Sequence, residues 1–276
     1  MQMLGANGVL YSNEYVLDEI ERLLGQDFVD YVYGKVVVWF RQKGLVINGK
    51  KVYRLMAEKH WLQCRIQRNR YGKKLAKELL PDPGEPFACM QVDIKYIYLH
   101  GQNRNALLLT VLDVLSRGAL GYSLAWNIRK EQVIELMQEV LYYYRLPEKV
   151  SLRTDNGSQF ESGKVREYLR EMQIEHEFTH VASPQENCYI ESFHSIVEAC
   201  VCRKYEFETM EDAQWIFAQF MNFYNQERVH GGIGKMSPKR FLCRLGAKQQ
   251  LRLFPVPNVD ETSYGDLNKR LVESYS

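Results

Sequence analysis

Residues 88–98 read Ala88-Cys89-Met90-Gln91-Val92-Asp93-Ile94-Lys95-Tyr96-Ile97-Tyr98. Ala88, Met90, Val92, Ile94, Tyr96 and Tyr98 fall at every second position, the period of a strand, and this puts Gln91, Asp93 and Lys95 together on the opposite face. An unpaired carboxylate in the middle of such a strand is costly unless a partner or a cation compensates it. Asp93 therefore needs a reason to be there.

Downstream, 107–115 and 119–126 are two more apolar strands joined by the polar turn Ser116-Arg117-Gly118, which predicts an antiparallel meander. A helix is expected over 130–145, with Val133, Met137, Val140, Leu141 and Tyr144 facing inward. A short strand at 150–154, a helix at 165–172 and a fifth strand at 174–178 follow. From Pro184 onward the pattern is helical, with Ile190, Phe193, Val197 and Val201 as a seam and a further helix over about 211–226. The order βββαβαβαα predicts an α/β fold, a mixed five-stranded sheet with flanking helices.

Upstream, 79–86 holds Pro81, Pro83 and Pro86 and reads as a linker. Before it, 14–24 is a helix stopped by Gly25, and 36–40 is an apolar core segment of either kind. Gly44 and the Asn48-Gly49 turn precede a helix over 50–61, whose outward positions are expected to include Lys50, Lys51, Arg54 and Lys59. That is the layout of a small helical helix-turn-helix domain with its second helix offered to the major groove of DNA. The expected division is 1–78 for this region, 79–86 for the linker, 87–230 for the sheet-based core and 231–276 for a C-terminal extension.

Charge supports the division. Thirteen Lys and Arg between Lys35 and Lys77 face one acid, Glu58, a local charge of +12 in a chain whose total is +2, which leaves −10 elsewhere. A basic third on a nearly neutral chain points to a phosphate-bearing partner. With 276 residues, 46% hydrophobic and 25% charged, the chain is neither a disordered tail nor a stapled miniprotein. No apolar run reaches the roughly 20 residues of a membrane span, and Met1 to Leu10 lacks the form of a secretory signal, so a cytoplasmic protein is expected. Six scattered cysteines without a CxxC pair fit a reducing compartment. His176, His180, Cys200 and Cys202 loosely suggest a zinc finger, but the CxC spacing is wrong for one.

Two further acids join Asp93. Asp155 ends the fourth strand just before Asn156-Gly157, and Glu191, separated from Asp155 by thirty-five residues, lies on the helix after Pro184 in a polar stripe with Asn187, His194, Ser195 and Glu198. Converging carboxylates repel and take up protons unless a cation neutralises them. All-oxygen ligands select Mg²⁺ or Mn²⁺, and two such ions serve in-line displacement at phosphorus. Asp93, Asp155 and Glu191 are thus the candidate metal ligands and catalytic residues, and phosphodiester chemistry the expected reaction.

The segments Gln91-Val92-Asp93-Ile94-Lys95-Tyr96, Leu112-Asp113-Val114-Leu115-Ser116-Arg117, Arg153-Thr154-Asp155-Asn156-Gly157-Ser158-Gln159-Phe160 and Asn187-Cys188-Tyr189-Ile190-Glu191-Ser192-Phe193 resemble the D,D-35-E core of retroviral-type integrases and bacterial transposases. The second-reading-frame product of insertion-sequence-three-type elements is the most similar group, and 222–230, Met236-Ser237-Pro238 and the segment 33–61 share in the likeness. The resemblance implies a ribonuclease-H-like fold, two Mg²⁺ ions with Mn²⁺ as substitute, and DNA cleavage followed by strand transfer without ATP. It also implies double-stranded DNA as partner, a homo-oligomer, and an upstream-frame helix-turn-helix partner. Catalytically silent DNA binding and plain nuclease action are the alternatives.

Asn187, Arg228 and His230 are candidate DNA contacts, and Asn225, Arg228 and His230 either touch DNA or only fix a loop. Asp113 is expected to be structural, Ser237-Pro238 a helix cap, and Glu186, a rival glutamate, a first-turn residue favoured by the helix dipole. One departure stands out: Glu198 occupies a place where the family usually has Lys or Arg.

Overall fold

The computed structural model describes residues 3–5, 10–62, 83–180 and 184–257 and divides into two units, 1–74 and 75–276. Half of the expected linker, residues 79–82, and six of the thirteen basic residues (Arg65, Arg68, Arg70, Lys73, Lys74 and Lys77) lie outside the described residues.

In the first unit, α1 (Asn13–Leu24) starts where Ser12 accepts the Tyr15 amide, and buries Val16, Ile20 and Leu23. Helix α2 (Tyr33–Gln42) buries Val36, Val37 and Phe40, which settles the ambiguous apolar segment as helix. Gly44, at φ 75°, turns the chain where a side chain would be strained. Asn48 then caps α3 (Gly49–Glu58) by accepting the Lys50 amide at 2.8 Å. Strands β1 (Met3–Gly5), β2 (Leu10–Tyr11) and β3 (Leu45–Val46) add a small sheet in the order β2-β1-β3.

In the second unit, β4 (Cys89–Leu99), β5 (Arg104–Asp113) and β6 (Ala119–Ala125) form the expected meander, and β7 (Val150–Thr154) and β8 (Ile174–Phe178) extend it in parallel, giving the order β6-β5-β4-β7-β8. Alternation splits the sheet into two faces. Met90 and Val92 of β4, Leu109 and Val111 of β5, and Leu152 of β7 join a core with α4 (Lys130–Tyr143), α5 (Ser158–Glu161) and α6 (Gly163–Glu171). Helix α7 (Cys188–Val197) packs against β4, and α8 (Met210–Gln226) against β6. Phe193, Phe220 and Tyr224 meet between these two helices, the Phe193 and Tyr224 rings edge to face at 4.9 Å.

Asp113 is fully buried and accepts the Phe87 amide, the Ser116 amide and the Ser116 hydroxyl, so it holds the β5–β6 turn as expected. Ser237 caps α9 (Pro238–Arg244) by accepting the Arg240 amide, with Pro238 at its first position. Residues 231–257 are not an appendage. Leu242 and Leu251 belong to the core just described, and Phe254 is buried. Among the described residues, no helix is long and apolar enough to cross a membrane.

Candidate active site

The parallel pairing of β4 with β7 runs through the rows Cys89–Ser151, Met90–Leu152 and Gln91–Arg153 and stops there, while β4 continues to Leu99. Two residues past the last row on each strand come Asp93 and Asp155, so the register brings them level where β7 ends. Alternation turns both toward the face that α7 covers. Asp155 accepts the Gly157 amide at 2.9 Å, and Asn156 donates to the Thr179 carbonyl at 2.8 Å. A Cβ at Gly157 would meet the end of the Gln159 side chain, which would have to move aside, and would lie 3.0 Å from Asp155 Oδ1.

Helix α7 is fastened along β4 by three successive side chains of one strand face. Gln91 donates to the Glu186 carbonyl (2.9 Å) and accepts the Ile190 amide (3.0 Å). Asp93 Oδ2 lies 3.5 Å from His194 Nδ1, and Lys95 pairs with Glu198 at 3.1 Å. Glu191, on the same helix, and Asp155 are exposed, and Asp93 is half-buried.

The electrostatics agree with this placement. Burial pushes the Asp93 carboxyl up to about 6, and the like charges of Asp155 and Glu191 push in the same direction; only the Ile94 amide, at 2.8 Å, opposes them. Partial desolvation also raises Glu191. Burial, then Lys95, lowers His194 to about 4, so its contact with Asp93 is made by a neutral ring. Thr110 Oγ1, on the residue opposite Asp93 in β5, and His194 Nε2 are buried without a protein hydrogen-bond partner. An all-oxygen donor set around a floor of under-satisfied polar atoms suits a hard divalent cation. Among the described residues, no three His, Cys, Asp or Glu side chains stand close enough to hold a metal ion: the acids act on one another without closing a cage.

Glu186 is not a competitor for Glu191. Both its oxygens are occupied at 2.8 Å, one by the His180 amide and one by His180 Nδ1, and its carbonyl takes Gln91 and Arg153 (3.1 Å). Arg153 is fixed in turn by Glu177 at 2.7 Å. Glu186 is therefore a clasp at the start of α7, where charge patterning alone suggested a dipole residue. Gln91, Lys95, Arg153 and His194 escaped the sequence reading as positioning residues, although the strand face shared by Gln91, Asp93 and Lys95 was a signal for two of them.

Several expected DNA contacts are corrected. Asn187, Arg228 and His230 are buried and cannot meet a duplex; Arg228 bonds Cys200 inside the protein, and the His230 ring packs on Tyr224. Asn225 fixes the β6 edge by bonding both the amide and the carbonyl of Ala119. Lys51 is buried beside Val52 and Leu55, and burial lowers its ammonium. Lys50, Arg54 and Lys59 are exposed, as expected. The loose zinc pattern dissolves, since His176 contacts Thr154 while Cys200 meets Arg228.

Comparison with known proteins gives a consistent picture. A model of the integrase core domain matches residues 83–184, and a second integrase core model matches 172–238. An uncharacterized 39.2 kDa protein of insertion element IS476 from Xanthomonas euvesicatoria is 26% identical over 211 residues, covering 76% of this chain and 59% of that protein. The transposase of IS904 from Lactococcus lactis is 26% identical over 145 residues, 52% of this chain and 57% of its own. Transposase InsF of IS3A from Escherichia coli is 24% identical over 52% of this chain and 50% of its own. The matches thus span about half to three fifths of these three relatives. Among solved structures, a chain of the simian T-cell lymphotropic virus intasome superposes with a TM-score of 0.52 at 12% identity, covering 88% of this chain and 78% of its own.

Proposed function

From the premise that the chain belongs to the integrase core domain family and carries its ribonuclease-H-like fold, we propose that it is a transposase that cleaves DNA at the ends of a mobile element and joins them to target DNA. The observation that carries this reading is Asp93, a half-buried carboxyl that the β4–β7 register sets level with Asp155 and whose ionised form is opposed by burial and by the charges of Asp155 and Glu191.

Asp93, Asp155 and Glu191 would hold Mg²⁺, as two ions with Mn²⁺ as substitute, and the metal would supply Lewis-acid stabilisation of the attacking and leaving oxygens at phosphorus. The chain's own part is placement. Gln91 and Arg153 set the start of α7, the Asp155-Asn156-Gly157 turn holds the second acid at the strand end, and the neutral His194 ring lines the floor beside Asp93. Exchange of one phosphodiester for another needs no ATP. The exposed Lys50, Arg54 and Lys59 of the helix-turn-helix are the proposed phosphate and base contacts, and two element ends held at once call for a homo-oligomer.

The test is strand transfer with end oligonucleotides in Mg²⁺ or Mn²⁺, comparing the full chain with Asp93→Asn, Asp155→Asn and Glu191→Gln. Each variant is expected to lose roughly a hundredfold or more of its joining rate. Unchanged joining in all three rejects the assignment, and cutting without joining reassigns the chain as a nuclease.

A further inference from the structure

Lys95 follows Asp93 by two residues on the same face of β4, so their side chains leave the strand about 7 Å apart. A lysine stem can cover that distance, and a largely buried ammonium beside a carboxylate in a desolvated cleft is strongly drawn to it. Instead the ammonium sits 3.1 Å from Glu198, with its own side chain 19% exposed. Glu198 is presented by a change in helix type. Helix α7 gives way at Val197 to a π-helical turn, Glu198–Cys202, closed by the Arg203 amide on the Glu198 carbonyl at 3.0 Å. This turn buries Cys200 and Val201 while leaving Glu198 facing β4, and Arg203 steadies its carboxylate at 3.7 Å. Such π insertions in α-helices are frequent at functional sites.

We propose that Glu198 is a positioning residue that holds the Lys95 ammonium off Asp93, and so keeps the Asp93 carboxylate available to a divalent cation. The ladder along β4 supports it: His194, one helical turn before Glu198, occupies the place beside Asp93, and the cation of the neighbouring rung is neutralised from the far side. The acidic residue at 198 and the basic residue at 95 are then two halves of one device. This inference rests on the metal-dependent function proposed above.

The experiment is Mn²⁺ binding to the full chain, followed by calorimetry and by electron spin resonance of free Mn²⁺. Glu198→Gln keeps the size of the side chain but releases Lys95, and is expected to weaken binding roughly three- to fivefold, the upper end for one partly exposed charge pair. Adding Lys95→Met removes the released competitor, and the double variant is expected to return to within about twofold of the unaltered chain. Equal affinity in the unaltered chain and Glu198→Gln overturns the proposal, as does a loss that the double variant does not restore. If the unaltered chain takes up no Mn²⁺, or takes it up as well with Asp93→Asn, the metal reading of the cleft falls first and this inference with it.

Discussion

Asp93 is a group whose ionised form the fold opposes. Its carboxyl is raised from an ordinary 3.8 to about 6, and its side chain is only 22% exposed, so the charge costs the folded protein about 3 kcal/mol at neutral pH. A carboxyl with a folded pKa above its unfolded one adds stability only while protonated: the benefit is whole below about pH 4 and is lost as the pH climbs through about 6. Asp93→Asn without metal is therefore expected to melt higher than the unaltered chain at pH 8, with the gap closing toward pH 4. Thermal melts across that range check this, and a variant less stable at pH 8 would show that the carboxylate is favourably paired after all. At this scale the sequence was informative where a carboxylate stood at a telling place in a legible pattern: Asp93 lies mid-strand on the polar face of an alternating segment, and Asp155 precedes an Asn-Gly turn. It misled where a pattern was short: in a helix of ten residues beginning at Gly49, Lys51 adjoins the buried stripe of Val52, Leu55 and Met56 and folds its stem inward. Asn187, Arg228 and His230 misled for a related reason, since polar residues that lock a fold carry the same letters as those that touch DNA.

The element that most affects the site is α7, because it brings Glu191 to the two strand acids. Its first-turn amides lack partners within the helix, and Gln91, fully buried, satisfies that of Ile190 while gripping the Glu186 carbonyl. In Gln91→Leu the Ile190 amide is buried unpaired at a cost of about 1–3 kcal/mol, whereas Glu186 keeps Arg153. The start of α7 is then free to shift, and a shift on the order of 1 Å lowers a rate by as much as about a hundredfold. The variant should unfold at lower denaturant and join DNA at least about tenfold more slowly at saturating Mn²⁺. Lost stability with normal joining would make Gln91 a fold residue only. Longer elements were legible from periodicity, including the meander and α4. Strands β1, β2 and β3, of two or three residues, are too short to carry a period, and the π-helical turn was invisible because Val197 and Val201 keep an α-helical spacing.

For the molecule as a whole, the order of strands and helices followed from the sequence, but the fate of the last segment did not, because 247–257 has no periodicity. Its side chains bind elements far apart in the chain. Gln249 exchanges two hydrogen bonds with the Arg145 backbone, the Arg252 amide donates to the Tyr144 hydroxyl, and Arg252 pairs with Glu139 at 2.8 Å. The Phe254 amide donates to the Asn222 side chain and the Phe254 carbonyl accepts from it, while the Phe254 ring lies 5.0 Å from that of Tyr122. The strap thus ties α4 to α8 across the β6 side of the sheet, away from Asp93. Phe254 is buried and Leu253, its neighbour, is 67% exposed. Phe254→Ala should cost about 3–5 kcal/mol, a fall in melting temperature on the order of 10 °C for a unit of this size, and Leu253→Ala should stay within about 0.5 kcal/mol. Calorimetry of both variants checks the strap. Equal small shifts would mean that the segment lies on the core without supporting it, whereas a large shift for Phe254→Ala with near-normal joining per folded molecule would show that its contribution is to stability rather than to the cleft.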